Sequence, residues 1–219
     1  MRVTVAGRTD AGVHASHQVA HVDLTDPGRI TTRNLNGLLP PDVRVLALSG
    51  VPAGFDARFS ALARVYGYRV CDGPPDPLRR RDTLCWRRPL DLARMREASV
   101  GLLGLHDFAA FCRARAGRTS IRTLRTLDWT RAGDGVVTAT VEADAFCHSM
   151  VRSLVGALLA VGDGRWDRAR PLELLDRKVR SDAVVVAPAH GLRLLLVRYP
   201  PAGELADRAL LTRAVRRLP

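Results

Sequence analysis

Lysine is almost missing from this chain: Lys178 is the only one, and arginine supplies the rest of the 34 basic residues. Aromatics are scarce at 5%, and cysteine occurs only at Cys71, Cys85, Cys112 and Cys147. There is no C-x-x-C pair and no Cys/His cluster at zinc-ligand spacing, which argues against a zinc ribbon or a thioredoxin-type redox motif. No Gly-x-Ser-x-Gly turn is present, which disfavours a Ser/His hydrolase. Arg2, Arg8 and Asp10 interrupt the stretch from Met1 to Asp10, so an apolar leader is not expected. The longest apolar run, Val155 to Val161, is too short to span a bilayer. These absences predict a soluble cytoplasmic protein with reduced thiols and no membrane partner.

What is present is a basic chain of ordinary hydrophobicity. Its 219 residues suffice for one large domain or two small ones, and an apolar share of 47% supports a packed core. Lys and Arg outnumber Asp and Glu by 34 to 22, a formal charge of +12. GC-rich coding would explain arginine in place of lysine but not the net excess. A field of that sign draws polyanions, and a phosphate backbone is the usual one, bound with release of its counterions.

Periodicity predicts an α+β fold with mostly antiparallel sheets flanked by helices, since strands and helices do not alternate in βαβ order. Strands are expected at 2–6, 18–24, 43–48, 64–70, 124–130, 136–143, 184–187 and 192–197. Asp91 can cap a helix running to about Leu103, and 146–161 is apolar over a wide arc at helical spacing. A helical turn is expected at 34–39 and a basic amphipathic helix at 203–217. The best junction, near Gly54 to Ala63, divides the chain into 1–58, 59–200 and a basic tail, 201–219.

The chemistry-bearing candidate is the loop Gly7-Arg8-Thr9-Asp10-Ala11-Gly12-Val13-His14, which follows a strand. Its glycines allow close approach of a bulky ligand, and Arg8 can share a site with Asp10. On local features alone the loop reads as a turn with a capping aspartate. The longer string Ala6 to Ala15 closely resembles the signature loop of the tRNA pseudouridine synthase A (TruA) family. Further segments follow in order. Asn36-Gly37-Leu38-Leu39-Pro40 is similar to "LNALLP". Phe55-Asp56-Ala57-Arg58-Phe59-Ser60-Ala61 resembles "F-x-A-R-F-S-A", and Tyr66-Gly67-Tyr68 follows it. Phe146 to Arg152 resembles "F-x-x-x-M-V-R", and Ala187-Pro188, Gly191-Leu192 and Tyr199-Pro200 resemble the C-terminal strand.

The resemblance implies an intramolecular isomerase that converts uridines 38–40 of the tRNA anticodon arm to pseudouridine, with neither cofactor nor metal. It implies Asp10 as the essential carboxylate, acting as nucleophile or base. Arg152, on the edge of an apolar helix, would pair with Asp10 and keep it ionised; a lone arginine there otherwise snorkels to solvent. Tyr66 would pack against the target base, Arg8 would fill the space left by the extruded nucleotide, and Arg58 would touch phosphate or brace the domain junction. His14 and His148 are expected in structural roles. A homodimer that shares one tRNA is implied as well.

Two departures stand out. The family begins with a strand and helix carrying "YDG" and "GWQ" patterns upstream of the signature loop. This chain shows neither, which leaves a misplaced start or a true truncation open. Arg193 stands where an aromatic often follows the Gly-Leu pair. The alternative to an active synthase is an impaired or idle relative that only binds tRNA. A magnesium-dependent phosphatase built on Asp10 is disfavoured because position 12 is Gly.

Overall fold

The computed structural model describes residues 2–26, 28, 30–113 and 119–213. The chain opens with short elements: β1 (Thr4–Val5), β2 (His14–Ala15), β3 (Ala20–His21) and α1 (Thr32–Leu38). Thr31 caps α1 by accepting from the Asn34 N–H. There follow β4 (Ala63–Cys71), β5 (Leu84–Cys85), α2 (Leu92–Val100), β6 (Gly104–Asp107), β7 (Ile121–Arg131) and β8 (Val137–Ala143). The chain closes with α3 (Met150–Gly162), α4 (Arg170–Asp176), β9 (Leu192–Arg198) and α5 (Leu205–Arg213).

β1 and β3 form a two-stranded antiparallel sheet. The main sheet has the order β2-β9-β4-β8-β7-β6, with β5 beside β4. Its pairings are antiparallel except β2–β9 and β4–β5. The expected α+β architecture is therefore present. In β8, Val137, Ala139, Val141 and Ala143 are buried while the residues between them are half-buried, the period-2 pattern of a strand with one face on a core. That core lies between the sheet and α2 and α3, around Trp129, Tyr68, Phe108, Met95, Leu154 and Leu158. Full burial of such side chains stabilises by about 1.5–3 kcal/mol each.

The N-terminal part is built differently. Among the described residues from 2 to 56, only Ala6 is buried. Leu38 and Leu46 are 87% and 82% exposed.

Several expected elements change. No strand forms at 43–48, because the Asn36 side chain takes the place of a neighbouring strand, accepting from Val45 N at 2.7 Å and donating to Val45 O at 2.9 Å. Residues 184–187 also form no strand; Ala187 N donates instead to Arg152 O at 3.0 Å. The 146–161 helix starts only at Met150, since Ser149 sits at a left-handed φ of 65°. Asp91 caps α2 as expected, by accepting from Arg94 N, but the helix stops at Val100. β6 and α4 were not anticipated. α5 occupies part of the expected basic helix, and residues 214–217 of it lie outside the described residues. The expectation of four reduced thiols also needs correction: Cys71 and Cys85 are free, whereas Cys112 and Cys147 are bonded, with Cα atoms 5.8 Å apart. The same two segments are also joined by Arg113 N, which donates to His148 O at 3.1 Å.

Candidate active site

The signature loop spans the gap between the two sheets. Its root leaves β1 at Ala6, whose N–H donates to Val19 O at 2.8 Å, and its far end enters the main sheet as β2 beside β9. Within it Asp10 O accepts from Val13 N at 2.9 Å, closing a turn in which Gly12 has φ 82°. A positive φ at the third position of such a turn favours glycine. Gly12 also packs closely, since a Cβ there would lie 3.4 Å from the Ala189 Cβ. The turn thus rests on the 3-10 turn Ala189–Gly191 ahead of β9.

Asp10 is exposed, and among the described residues it has no ion-pair partner within 4.0 Å. Its charge is felt nonetheless at Tyr66. The Tyr66 hydroxyl is pushed up to about 12, first by burial; the Arg64 charge opposes the rise and the Asp10 carboxylate adds to it. The hydroxyl lies so near Gly7 that a Cβ there would be 3.0 Å away. Glycine is therefore what lets the loop root pass over the tyrosine. The ring meets Phe146 edge to face, with centroids 5.2 Å apart, and Tyr66 is only 6% exposed. Little of its face is open for base stacking in this arrangement.

Arg152 is the one residue of α3 that is not buried. The Asp10–Arg152 ion pair expected from the sequence is not formed. Arg152 Nε donates instead to Ala187 O at 2.6 Å, and Ala187 N donates back to Arg152 O, so the segment before β9 is zipped onto the helix. Gly156, one turn on, permits this contact: a Cβ there would lie 1.8 Å from Val185 O. Tyr68, completely buried, donates to Pro188 O at 2.8 Å, and burial raises its pKa while the nearby Arg152 charge lowers it.

The remaining candidates divide. Arg8 is exposed and makes no hydrogen bond or ion pair with a described residue. Arg58 lies with its guanidinium 4.9 Å from the Phe59 ring centroid. Its segment is held by several hydrogen bonds: Asp56 accepts from Arg58 N and Phe59 N, Ser60 Oγ donates to Leu205 O at 2.8 Å, and Tyr199 donates to Ala57 O. His14 Nε2 is hydrogen-bonded to Arg81 O at 2.7 Å, a structural contact. Arg193, the departure after Gly191-Leu192, pairs with Asp82 at 3.1 Å, and Arg69 pairs with the same carboxylate.

Two residues escaped the sequence reading. Arg64 is buried inside β4, and Gln18 brackets both backbone polar groups of Gly7. A signal for the first existed: two positions before Tyr66, Arg64 falls on the same buried strand face as Tyr66, Tyr68 and Val70. Among the described residues, no group of three or more His, Cys, Asp or Glu is arranged to hold a metal ion, and no helix is long and apolar enough to cross a membrane.

Relatives of the chain settle its lineage. A synthase from Frankia casuarinae, named tRNA pseudouridine synthase A, is 61% identical over 220 residues, covering 99% of this chain and 80% of its own length. Proteins of the same name from Streptomyces griseus and Mycobacterium leprae are 55% and 50% identical, each over 99% of this chain and over 79% and 82% of their own lengths. The chain belongs to the tRNA pseudouridine synthase A family. The family model described as tRNA pseudouridine synthase matches residues 98–200, a stretch that holds α3 and Arg152 but begins after the signature loop. Membership of the family thus draws on the whole chain.

Proposed function

We propose that this isomerase acts on uridines 38–40 of the tRNA anticodon arm, with Asp10 as its catalytic carboxylate. The observation that carries the assignment is the loop itself. A Gly12 turn holds an ionisable carboxylate open to solvent, free of any ion pair with a described residue, within electrostatic reach of a buried tyrosine. A carboxylate that serves as nucleophile or base must be able to meet the substrate, and an exposed side chain carried on a fixed turn can do so.

The target nucleotide is extruded from its stack to reach Asp10. The C1′–N1 bond breaks, the uracil turns over and a C1′–C5 bond forms. The C5 proton leaves to solvent and N1 takes one up, so no oxidant, reductant or net hydrolysis is involved. Tyr66 meets the base beside Gly7. Arg152, anchored through Nε, keeps its Nη groups for the substrate. Arg8 occupies the space vacated by the base, and Arg58 sits near backbone phosphate at the junction of the 1–58 and 59–200 subdomains. The +12 charge favours a phosphate-rich partner, and shape and backbone contacts dominate its recognition. A homodimer that shares one tRNA, working in the cytoplasm with its basic 201–219 tail, completes the reading.

The test is tritium release from tRNA labelled at uridine C5, with Asp10→Ala alongside. Release by the parent and none above background by the variant is the expected result. Equal release from both would overturn the assignment of Asp10. No release from either, with tRNA bound and the fold intact, would assign the chain to tRNA binding alone.

A further inference from the structure

The Asp10 carboxylate is not held by a charged neighbour among the described residues, so its position is set by the backbone that carries it. That backbone is fixed at its root. Gln18 Nε2 donates to Gly7 O at 2.7 Å, and Gln18 Oε1 accepts from Gly7 N at 3.4 Å. One residue earlier, Ala6 O accepts from Arg64, from Nε at 3.2 Å and Nη2 at 3.0 Å. The same guanidinium donates through Nη1 to Asp144 O at 2.9 Å, where β8 ends, and through Nη2 to Arg58 O. Arg64 is 5% exposed, and burial pulls its pKa below the ordinary guanidinium value.

We propose that Arg64 is a positioning residue for catalysis, which uses one buried guanidinium to set the signature loop, and with it Asp10, against Tyr66; the proposal rests on Asp10 as the catalytic carboxylate. Arg64 and Tyr66 stand two residues apart on one face of β4. A single strand therefore fixes the tyrosine directly and the loop root through Ala6 O. The planar, forked guanidinium suits this task because it serves three separate carbonyls at once. A lysine ammonium is a compact charge and cannot span them. Burying a cation in this way is costly unless every donor is matched, and the acceptors lie on three segments: the loop root, the Arg58 turn and the end of β8. Gln18 completes the clamp from the other side of Gly7.

The test compares Arg64→Lys, Gln18→Leu, the double variant and Asp10→Ala by C5-tritium release. Circular dichroism, melting temperature and tRNA binding are measured on each, with hydrogen–deuterium exchange of amides 7–13. Misplacement by about an ångström costs up to about a hundredfold in rate. Arg64→Lys and Gln18→Leu are therefore expected to lose about ten- to a hundredfold in kcat, with KM for tRNA and binding within about twofold of the parent. Amides 7–13 should exchange faster, and the double variant should lose less than the product of the two single effects, because both side chains hold one loop root. A loss confined to melting temperature, with kcat and loop exchange as in the parent, would overturn the proposal. If Arg64→Lys fails to fold, Gln18→Leu decides by the same criteria. Turnover by Asp10→Ala would instead overturn the underlying reading of Asp10. An inactive Asp10→Ala beside fully active clamp variants would overturn the positioning role alone. Should the parent show no turnover, unchanged loop exchange in both clamp variants overturns the proposal and faster exchange supports it.

Discussion

Replacing Gly7 by Ala tests the packing of the loop root on Tyr66. The added Cβ would stand 3.0 Å from the Tyr66 hydroxyl and 3.7 Å from Leu194 Cδ2, so the tyrosine contact alone is too close. Neither partner can yield easily. The Tyr66 ring is backed by Phe146, and both backbone polar groups of Gly7 are held by Gln18. Overpacking of this kind costs about 1–3 kcal/mol. Against it, alanine restricts the unfolded chain and returns about 0.4–1 kcal/mol. The net expectation is a destabilisation of about 1 kcal/mol, or about 2–4 °C in a chain of this size. In a Tyr66→Phe background the hydroxyl is gone and the same substitution should be neutral or slightly stabilising. The cycle therefore predicts a coupling of about 1–2 kcal/mol, read from urea midpoints of the four proteins at constant m-value. If Gly7→Ala costs the same in both backgrounds, to within about 0.5 kcal/mol, the hydroxyl is not what excludes a side chain at position 7.

Gly156→Ala should be far more damaging, because its Cβ would meet backbone, 1.8 Å from Val185 O and 3.0 Å from Val185 C. A loss of about 3 kcal/mol or more is expected by thermal denaturation, with reduced turnover as the Arg152–Ala187 contact is pushed apart; a melting point unchanged to about 2 °C would refute the close approach. The chain's tyrosines offer a test by alkaline titration. Tyr66 is raised to about 12, and Tyr68 and Tyr199 also lie above their ordinary value, burial being the first cause for each. Raised folded values mean that this contribution to stability is full below about pH 10, where unfolded tyrosine titrates, and falls away as pH rises through about 12. Native protein should show almost no tyrosinate absorbance at pH 10.5 while denatured protein shows most of it; one residue's worth in the folded state would contradict the burial.

Legibility followed the range of the interactions. The segments 64–70 and 136–143 were legible as β4 and β8 from local residue pattern; β8 shows the period-2 burial of the pleat, whereas β4 is buried on both faces over its first six residues. Asp91 was readable as a cap because an N-cap acts within one turn. The 43–48 segment alternates like a strand and failed, since its hydrogen bonds go to the Asn36 side chain, a partner that periodicity does not reveal. Phe146 to Ser149 looked helical by periodicity, but the left-handed Ser149 stops the helix short of them. The signature loop, Tyr66 and Arg152 were legible as motifs. Their mutual geometry was not, and the expected Asp10–Arg152 pair gave way to Arg152–Ala187.

The sequence by itself determined the family, the basic partner-seeking charge, the α+β class and the identity of the candidate carboxylate, because each is written in residue type and local spacing. Tertiary structure decided which groups meet: Gly7 over the Tyr66 hydroxyl, Gly12 on Ala189, Arg152 on Ala187, and Arg64 on three carbonyls from Ala6, Arg58 and Asp144. Apart from Arg64 and Arg58, those contacts join residues far apart in the chain. They depend on strand register and on how closely helix and loop backbones approach, neither of which a local pattern encodes.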